Sequence, residues 1–209
     1  LYENGVLVRA LTRGDGFTGE DVTANVKTIR NIPLNISSDL LAPEVVEVRG
    51  EILILNSDFI SLNQKQSENG GKLYANPRNL AAGSIRQLDS GITASRPLRF
   101  YAYALAQYSG GEFASFSQEL EFLKSAGFTI ASECSLLQGN LQLSAYYEQM
   151  MMKRNDLSFG IDGVVYKLNS IAGQKKLGFV ARAPRFAIAY KFPALEVESE
   201  ILAIDVQVG

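Results

Sequence analysis

Lys167 and Lys191 are the first residues whose setting suggests chemistry. Each stands mid-strand among apolar neighbours, in a segment that ends at asparagine or proline. An ammonium so placed is either a gatekeeper on a sheet edge or a ligand for phosphate. Two strands with the same placement make a paired phosphate site as tenable as two gatekeepers. Glu47, Arg49 and Glu51 share one face of another strand. They read either as a solvated outer face or as the wall of a cleft, with Gly50 admitting a ligand close to the backbone. Arg78 and Arg86 fall on one predicted helix with Ala82 midway, so both project to the same side. That pair is either solvated or a positive face that tracks a phosphate backbone. Arg182 and Arg185, with Lys175 and Lys176 upstream, form a second basic stretch.

Composition narrows the chemistry further. The chain contains no histidine, which excludes Ser-His and Cys-His nucleophiles, imidazole bases and histidine-ligated metals. Its single cysteine, Cys134, allows no internal disulfide and no cysteine-rich zinc site. Chemistry therefore falls to Lys, Arg, Asp, Glu, Tyr or Ser. The 209 residues are 46% hydrophobic and 20% charged, ordinary values for a globular chain with a real core. The net charge of −2 argues weakly against a nucleic-acid partner, but the basic residues are locally clustered. No apolar run approaches the roughly 18 residues that span a bilayer, and the start does not read as a signal peptide.

The elements that must hold these side chains are partly legible. Asn4-Gly5 between Leu1-Tyr2 and Val6–Thr12 predicts a hairpin whose first strand is a stub. A helix of about ten residues is expected from Gly19 or Glu20. Val45–Leu55 predicts a strand, with Val46, Val48, Ile52 and Ile54 on the face opposite the charges. Asn56 or Ser57 would cap the next helix, and Asn76-Pro77 the one after it. Ala81-Ala82-Gly83-Ser84 would let another backbone come close. Leu98–Leu105 predicts a strand with Arg99, Tyr101 and Tyr103 on one face, followed by helices over Ser117–Ala126 and Leu143–Arg154. Gly163–Asn169, Ala187–Phe192 and Glu198–Val208 complete the strands. Strands and helices mix without a regular alternation, which predicts an α+β fold with antiparallel sheets and packed helices.

Gly14-Asp15-Gly16-Phe17-Thr18-Gly19 matches the dinucleotide pattern G-x-G-x-x-G. The strand before it alternates instead of being uniformly apolar, and Glu20 and Asp21 stand where a pyrophosphate needs amides. The helix that follows is also short. A doubly wound oxidoreductase is therefore the weakest reading.

Taken in order, RGDGFTGEDVT (13–23), VRGE (48–51), ANPRNLAAGSIRQLD (75–89), IDGVVYK (161–167) and AYKFPA (189–194) resemble the nucleotidyltransferase motifs of bacterial NAD-dependent DNA ligases. The resemblance implies an ATP-grasp-like nucleotidyltransferase fold. It implies a reaction in which a lysine takes AMP from NAD and passes it to the 5′-phosphate of nicked double-stranded DNA, with Mg²⁺ assistance. On this resemblance Arg13 and Glu51 are nucleotide and ribose contacts, and Tyr103 stacks on adenine. Lys167 and Lys191 hold phosphate, with Lys191 and Asp162 supporting catalysis. Mg²⁺ would sit near Glu51 and Asp162, and Arg78 and Arg86 would meet DNA. The family's nucleophile lies in a K-x-D-G motif expected upstream of Leu1, and no K-x-D-G occurs in the chain. The chain alone is therefore expected to be inactive. Residues 1–196 are expected to form the adenylation domain, and 197–209 a linker with the first strand of an OB-fold domain. The implied setting is cytoplasmic and monomeric, with no membrane partner. An ATP-dependent ligase, a capping-type enzyme and a non-catalytic DNA- or partner-binding domain are the alternatives.

Overall fold

The computed structural model describes residues 1–14, 18–36, 43–181, 183–194, 200 and 202–204. Strands β1 (Tyr2–Glu3) and β2 (Val6–Leu7) form a hairpin through Asn4 and Gly5, both at positive φ (48° and 81°). That conformation is the one an Asn-Gly turn adopts readily. Helix α1 (Thr23–Val26) follows, then strand β3 (Val45–Ile54) and helices α2 (Asn56–Glu68), α3 (Pro77–Ile85) and α4 (Ser90–Ala94). Strand β4 (Leu98–Tyr108) precedes helices α5 (Phe116–Ser125) and α6 (Gly139–Lys153). Strand β5 (Gly163–Lys167), helix α7 (Ile171–Leu177) and strands β6 (Phe179–Val180), β7 (Ala183–Pro184) and β8 (Ala187–Lys191) end the order. The mixed architecture with antiparallel sheets agrees with the expectation.

Among the described residues the main sheet has four strands in the order β2-β1-β3-β4, each pair antiparallel. One face carries the core, in which Val46, Ile54, Leu98 and Ala102 are buried beside Tyr2, Leu7 and the α5 residue Leu123. Helix α3 lies against this layer through Ala81 and Ile85, both buried, as the small-residue patch implies. A smaller cluster of Met150, Val164 and Phe192 joins α6 to the two-stranded ribbon β5-β8. Among the described residues no helix is long and apolar enough to cross a membrane.

Several boundaries differ from expectation for identifiable reasons. The helix expected from Gly19 or Glu20 is reduced to α1, because Leu11 bridges Asp21 and Asp21 Oδ1 accepts from both the amide and the hydroxyl of Thr23. Such local side-chain bonds compete with a helix start. Neither Asn56 nor Ser57 caps α2. Leu55 holds the cap position, while Asn56 donates from its amide to Ser158 O (2.8 Å) and from Nδ2 to Leu157 O (3.1 Å). Asn76 does cap α3, with Oδ1 accepting from Asn79 N at 2.7 Å and Pro77 in the first turn. The expected strand Glu198–Val208 lies largely outside the described residues.

A buried polar knot ties the helices together. Asn25 Nδ2 donates to Gln87 O (2.7 Å) and to Thr93 Oγ1 (2.8 Å), and Thr93 donates to Ser84 O (2.8 Å). Asn25→Ala strands the Gln87 carbonyl and half of the Thr93 hydroxyl, so it is expected to cost about 1–3 kcal/mol. Denaturant unfolding checks this, and an unchanged midpoint would remove the knot from the stability of the fold.

Candidate nucleotide site

The β3–β4 ladder is not regular. Val48 pairs with Leu105 while Glu47 pairs with Gln107, and Gly50 pairs with Ala102 while Arg49 pairs with Ala104. Ala106 and Tyr103 are therefore extra residues on β4. Each bulge shifts the pleat by one, so Phe100, Ala102, Leu105 and Tyr108 all stay on the core side despite their uneven spacing. Bulges re-aim side chains, and the second one leaves Tyr103 half exposed on the outer face, beside the row of Glu47, Arg49 and Glu51. Glu47 and Arg49 pair with each other at 3.0 Å, whereas Glu51 is exposed and stands opposite Tyr101.

Gly50 does not serve ligand approach as its position in the charged strand suggests. It lies on the core side, where a Cβ would come 2.3 Å from the Phe100 ring and 2.5 Å from Tyr101 O. The glycine makes room for a neighbouring ring.

The β5-β8 ribbon comes up to the outer face of the sheet. Its register pairs Gly163 with Lys191 and Lys167 with Ala187, so both lysines occupy one face of the ribbon. They are separated along it by roughly 13 Å at ~3.3 Å per residue. Lys167 Nζ donates to Tyr103 O at 3.3 Å and lies 5.5 Å from the Tyr103 ring centroid and 4.3 Å from that of Phe116. Burial holds the Lys167 ammonium below the usual lysine range, while Glu119 and Cys134 pull it back upward. Burial likewise pushes the Glu119 carboxyl up, opposed by Lys167. At the other end of the ribbon, Lys191 Nζ stands 3.7 Å from Asp162 Oδ2, with both side chains mostly exposed.

The start of α5 fixes this arrangement. Phe116 N donates to Asn169 O (2.8 Å), Ser117 N to Asn169 Oδ1 (2.9 Å), and Ile171 N to Ala114 O (3.1 Å). The first turn of α5 is thus stitched to the residues just beyond β5, which sets Phe116 under Lys167. A capping box at Ser115 and Gln118 holds that turn from the other side. Near the Asp162 end, Phe159 meets Tyr101 with ring centroids 5.3 Å apart.

The structure therefore brings Tyr103 and Lys167 into contact, pairs Asp162 with Lys191, and sets Glu51 on the Tyr103 face. Arg13 is exposed, in a loop whose stems pair Leu11 with Asp21, and no described contact joins it to Tyr103 or the lysines. Arg78 is exposed near the start of α3. Arg86 does not share that helix as expected. It is the C-cap residue beyond Ile85, where Nε meets Glu20 Oε2 at 2.8 Å and links the 11–21 loop to the end of α3. Phe116 and Glu119 escape sequence reasoning because they look like ordinary residues of an amphipathic helix. Their neighbourhood to Lys167 depends on the Asn169 stitch.

Among the described residues no group of three carboxylate, cysteine or histidine ligands converges. One or two carboxylates with substrate phosphates is the usual protein share of a Mg²⁺ site. Glu51 and Asp162 are both exposed carboxylates, and no described contact joins one to the other.

Residues 1–195 match the family model of the NAD-dependent DNA ligase adenylation domain. A DNA ligase of Neisseria gonorrhoeae is 53% identical over 211 aligned residues, covering 100% of this chain and 26% of that protein. One from Neisseria meningitidis is 52% identical, with 100% and 25% covered, and one from Rickettsia massiliae 49%, with 100% and 30% covered. The chain thus spans between a quarter and a third of the length of these curated relatives. The motifs that hold Tyr103, Lys167 and Lys191 in this arrangement lie inside the matched span, and the chain belongs to the family of NAD-dependent DNA ligase adenylation domains.

Proposed function

We propose that this chain is the nucleotide-binding part of an enzyme that seals nicks in DNA, using NAD as adenylate donor and a lysyl-AMP intermediate. The observation that carries the reading is the contact between the bulged Tyr103 and Lys167, which sets an aromatic ring and a cation on one surface. A ring there offers a stacking face for adenine, and the lysine face of the ribbon offers charge to the phosphates. Arg13 and Glu51 complete the nucleotide contacts in this reading, the carboxylate accepting from ribose hydroxyls. Asp162 holds Lys191 in position, and Arg78 and Arg86 face the DNA. Glu51 and Asp162 are the carboxylates available to Mg²⁺, which when bound would neutralise charge developing on phosphate oxygens.

The fold is proposed to be of the ATP-grasp-like nucleotidyltransferase kind, with residues 1–196 as the adenylation domain and 197–209 leading into an OB-fold strand. The working form is taken to be a cytoplasmic monomer.

The absence of K-x-D-G makes a sharp test. Incubated with radiolabelled NAD and Mg²⁺, these 209 residues are expected to gain no acid-stable label, while a full-length protein containing them is labelled. A labelled 209-residue band would overturn the assignment of the nucleophile. Labelling of the full-length protein by ATP but not by NAD would transfer it to the ATP-dependent class.

A further inference from the structure

Helix α5 carries two glutamates in different surroundings. Glu121 is exposed and pairs with Lys124 at 2.7 Å. Glu119 stands on the inward side of the helix, in the stripe Phe116, Glu119, Leu123, whose last member is fully buried. Residues three and four apart share a helix face, and an amphipathic helix calls for apolar side chains along the inward one. A carboxylate half-buried there loses hydration and is costly without an opposite charge nearby.

The opposite charge that this face meets is Lys167. Phe116, one turn before Glu119, has its ring centroid 4.3 Å from Lys167 Nζ. The bonds from Phe116 N and Ser117 N to Asn169 fix α5 beside the end of β5, so the inward side of the helix is held toward that lysine. Among the described residues neither Glu119 nor Lys167 lies within ion-pair distance of any charge. The printed contacts of the ammonium are the 3.3 Å bond to Tyr103 O and the rings of Tyr103 and Phe116, and none of these carries a full negative charge.

The influence of the two groups on each other is mutual. Burial draws Lys167 down and Glu119 raises it, while burial raises Glu119 and Lys167 draws it down. Cys134, beyond the end of α5, also acts on Lys167, but burial and then Glu133 push its thiol up and away from the charged form. Glu119 is therefore the standing anion beside this lysine among the described residues.

We propose that Glu119 is a positioning residue of the nucleotide site, its carboxylate keeping the partly buried Lys167 ammonium charged for the phosphates of the adenylate donor. The proposal rests on the reading of Lys167 as a phosphate ligand. A lysine that holds phosphate must be protonated, so its contribution is lost as pH rises through its ionisation. Removing Glu119 brings that loss to lower pH.

In a full-length protein containing this chain, the lysines are converted to isotope-labelled dimethyl-lysine and titrated by NMR. The Lys167 signal is the one missing from Lys167→Arg. Glu119→Gln is expected to move its midpoint to lower pH, and Glu119→Asp, which keeps the charge, to leave it nearer that of the parent. Adenylate transfer from NAD is measured over the same range. Glu119→Gln should be slower by about 3–10-fold at the alkaline end, the Boltzmann weight of one partly screened charge pair, with the gap closing toward neutral pH. An unmoved Lys167 midpoint overturns the proposal. So does a rate lowered equally at every pH, which is what a purely structural role for Glu119 would give. A moved midpoint beside an unchanged rate profile sustains the link between the two residues and overturns the reading of Lys167 as a phosphate ligand, so the two failures are distinguishable.

Discussion

Lys191→Ala, in a full-length protein containing this chain, is expected to slow adenylate transfer from NAD by about 10²–10³-fold. Its melting temperature should barely move. The two outcomes separate because of where the side chain stands. Lys191 ends β8 with its side chain 77% exposed, and its one described ion pair is the long, solvent-screened contact to Asp162. Little folding energy depends on it. A phosphoryl group transferred at that end of the ribbon would lose the positioned charge that offsets developing negative charge on its oxygens. Lysine to arginine is not a neutral control, since the fork is larger and differently shaped. Single-turnover labelling with radioactive NAD measures the rate, and an unchanged rate would take Lys191 out of the site. Lys167→Ala would be a less clean experiment, because Lys167 also packs on Phe116 and Tyr103.

Gly50→Val should destabilise the chain by about 1–3 kcal/mol, the usual cost of overpacking a core. At ~2–4 °C per kcal/mol for a chain of this size, that is several degrees of melting temperature. The sign is informative, since valine is a far better strand former than glycine and would stabilise an open strand position. Here a Cβ meets the Phe100 ring and the Tyr101 carbonyl, both closer than 2.6 Å. A ring can turn aside, but the carbonyl belongs to the paired strand and cannot. Thermal unfolding followed by circular dichroism decides it, and a melting temperature equal to or above that of the parent would show that the space beside Gly50 is open.

The legible part of this molecule was what neighbouring residues decide among themselves. Asn4-Gly5 specified its turn and Asn76-Pro77 its cap. Strand β3 ran within a residue of its expected end because its alternation is strong. Motif likeness pointed to Lys167, Lys191 and Tyr103, yet composition and spacing left each lysine balanced between gatekeeper and ligand. What sequence could not show depends on distant partners. Asn25 meets Thr93 across 68 residues, and Lys167 meets Tyr103 across 64. The ten-residue helix expected after Gly19 yielded to a bond from Asp21 to Thr23 that costs nothing in sequence signal. The charged face of β3 could be read, but not that Glu47 and Arg49 would satisfy each other and leave Glu51 available. The surroundings of Gly50 were equally illegible, because the ring that fills its space lies fifty residues away by sequence and one strand away in space.

The bulges in β4 have a consequence outside the nucleotide site. Among the described residues, β4 is the last strand of the main sheet and, at 11 residues, the longest. A long straight border strand invites a second molecule to add its own strand and start aggregation. Here the ladder is broken at Tyr103 and Ala106, so a straight strand finds no matching run of partners. Some of the outward groups near its start are also occupied. Phe100 N donates to Asn31 Oδ1 and Phe100 O accepts from Asn31 Nδ2, while Ala102 N donates to Thr129 O. The irregularity that leaves Tyr103 on the outer face thus also makes this border a poor template for an added strand.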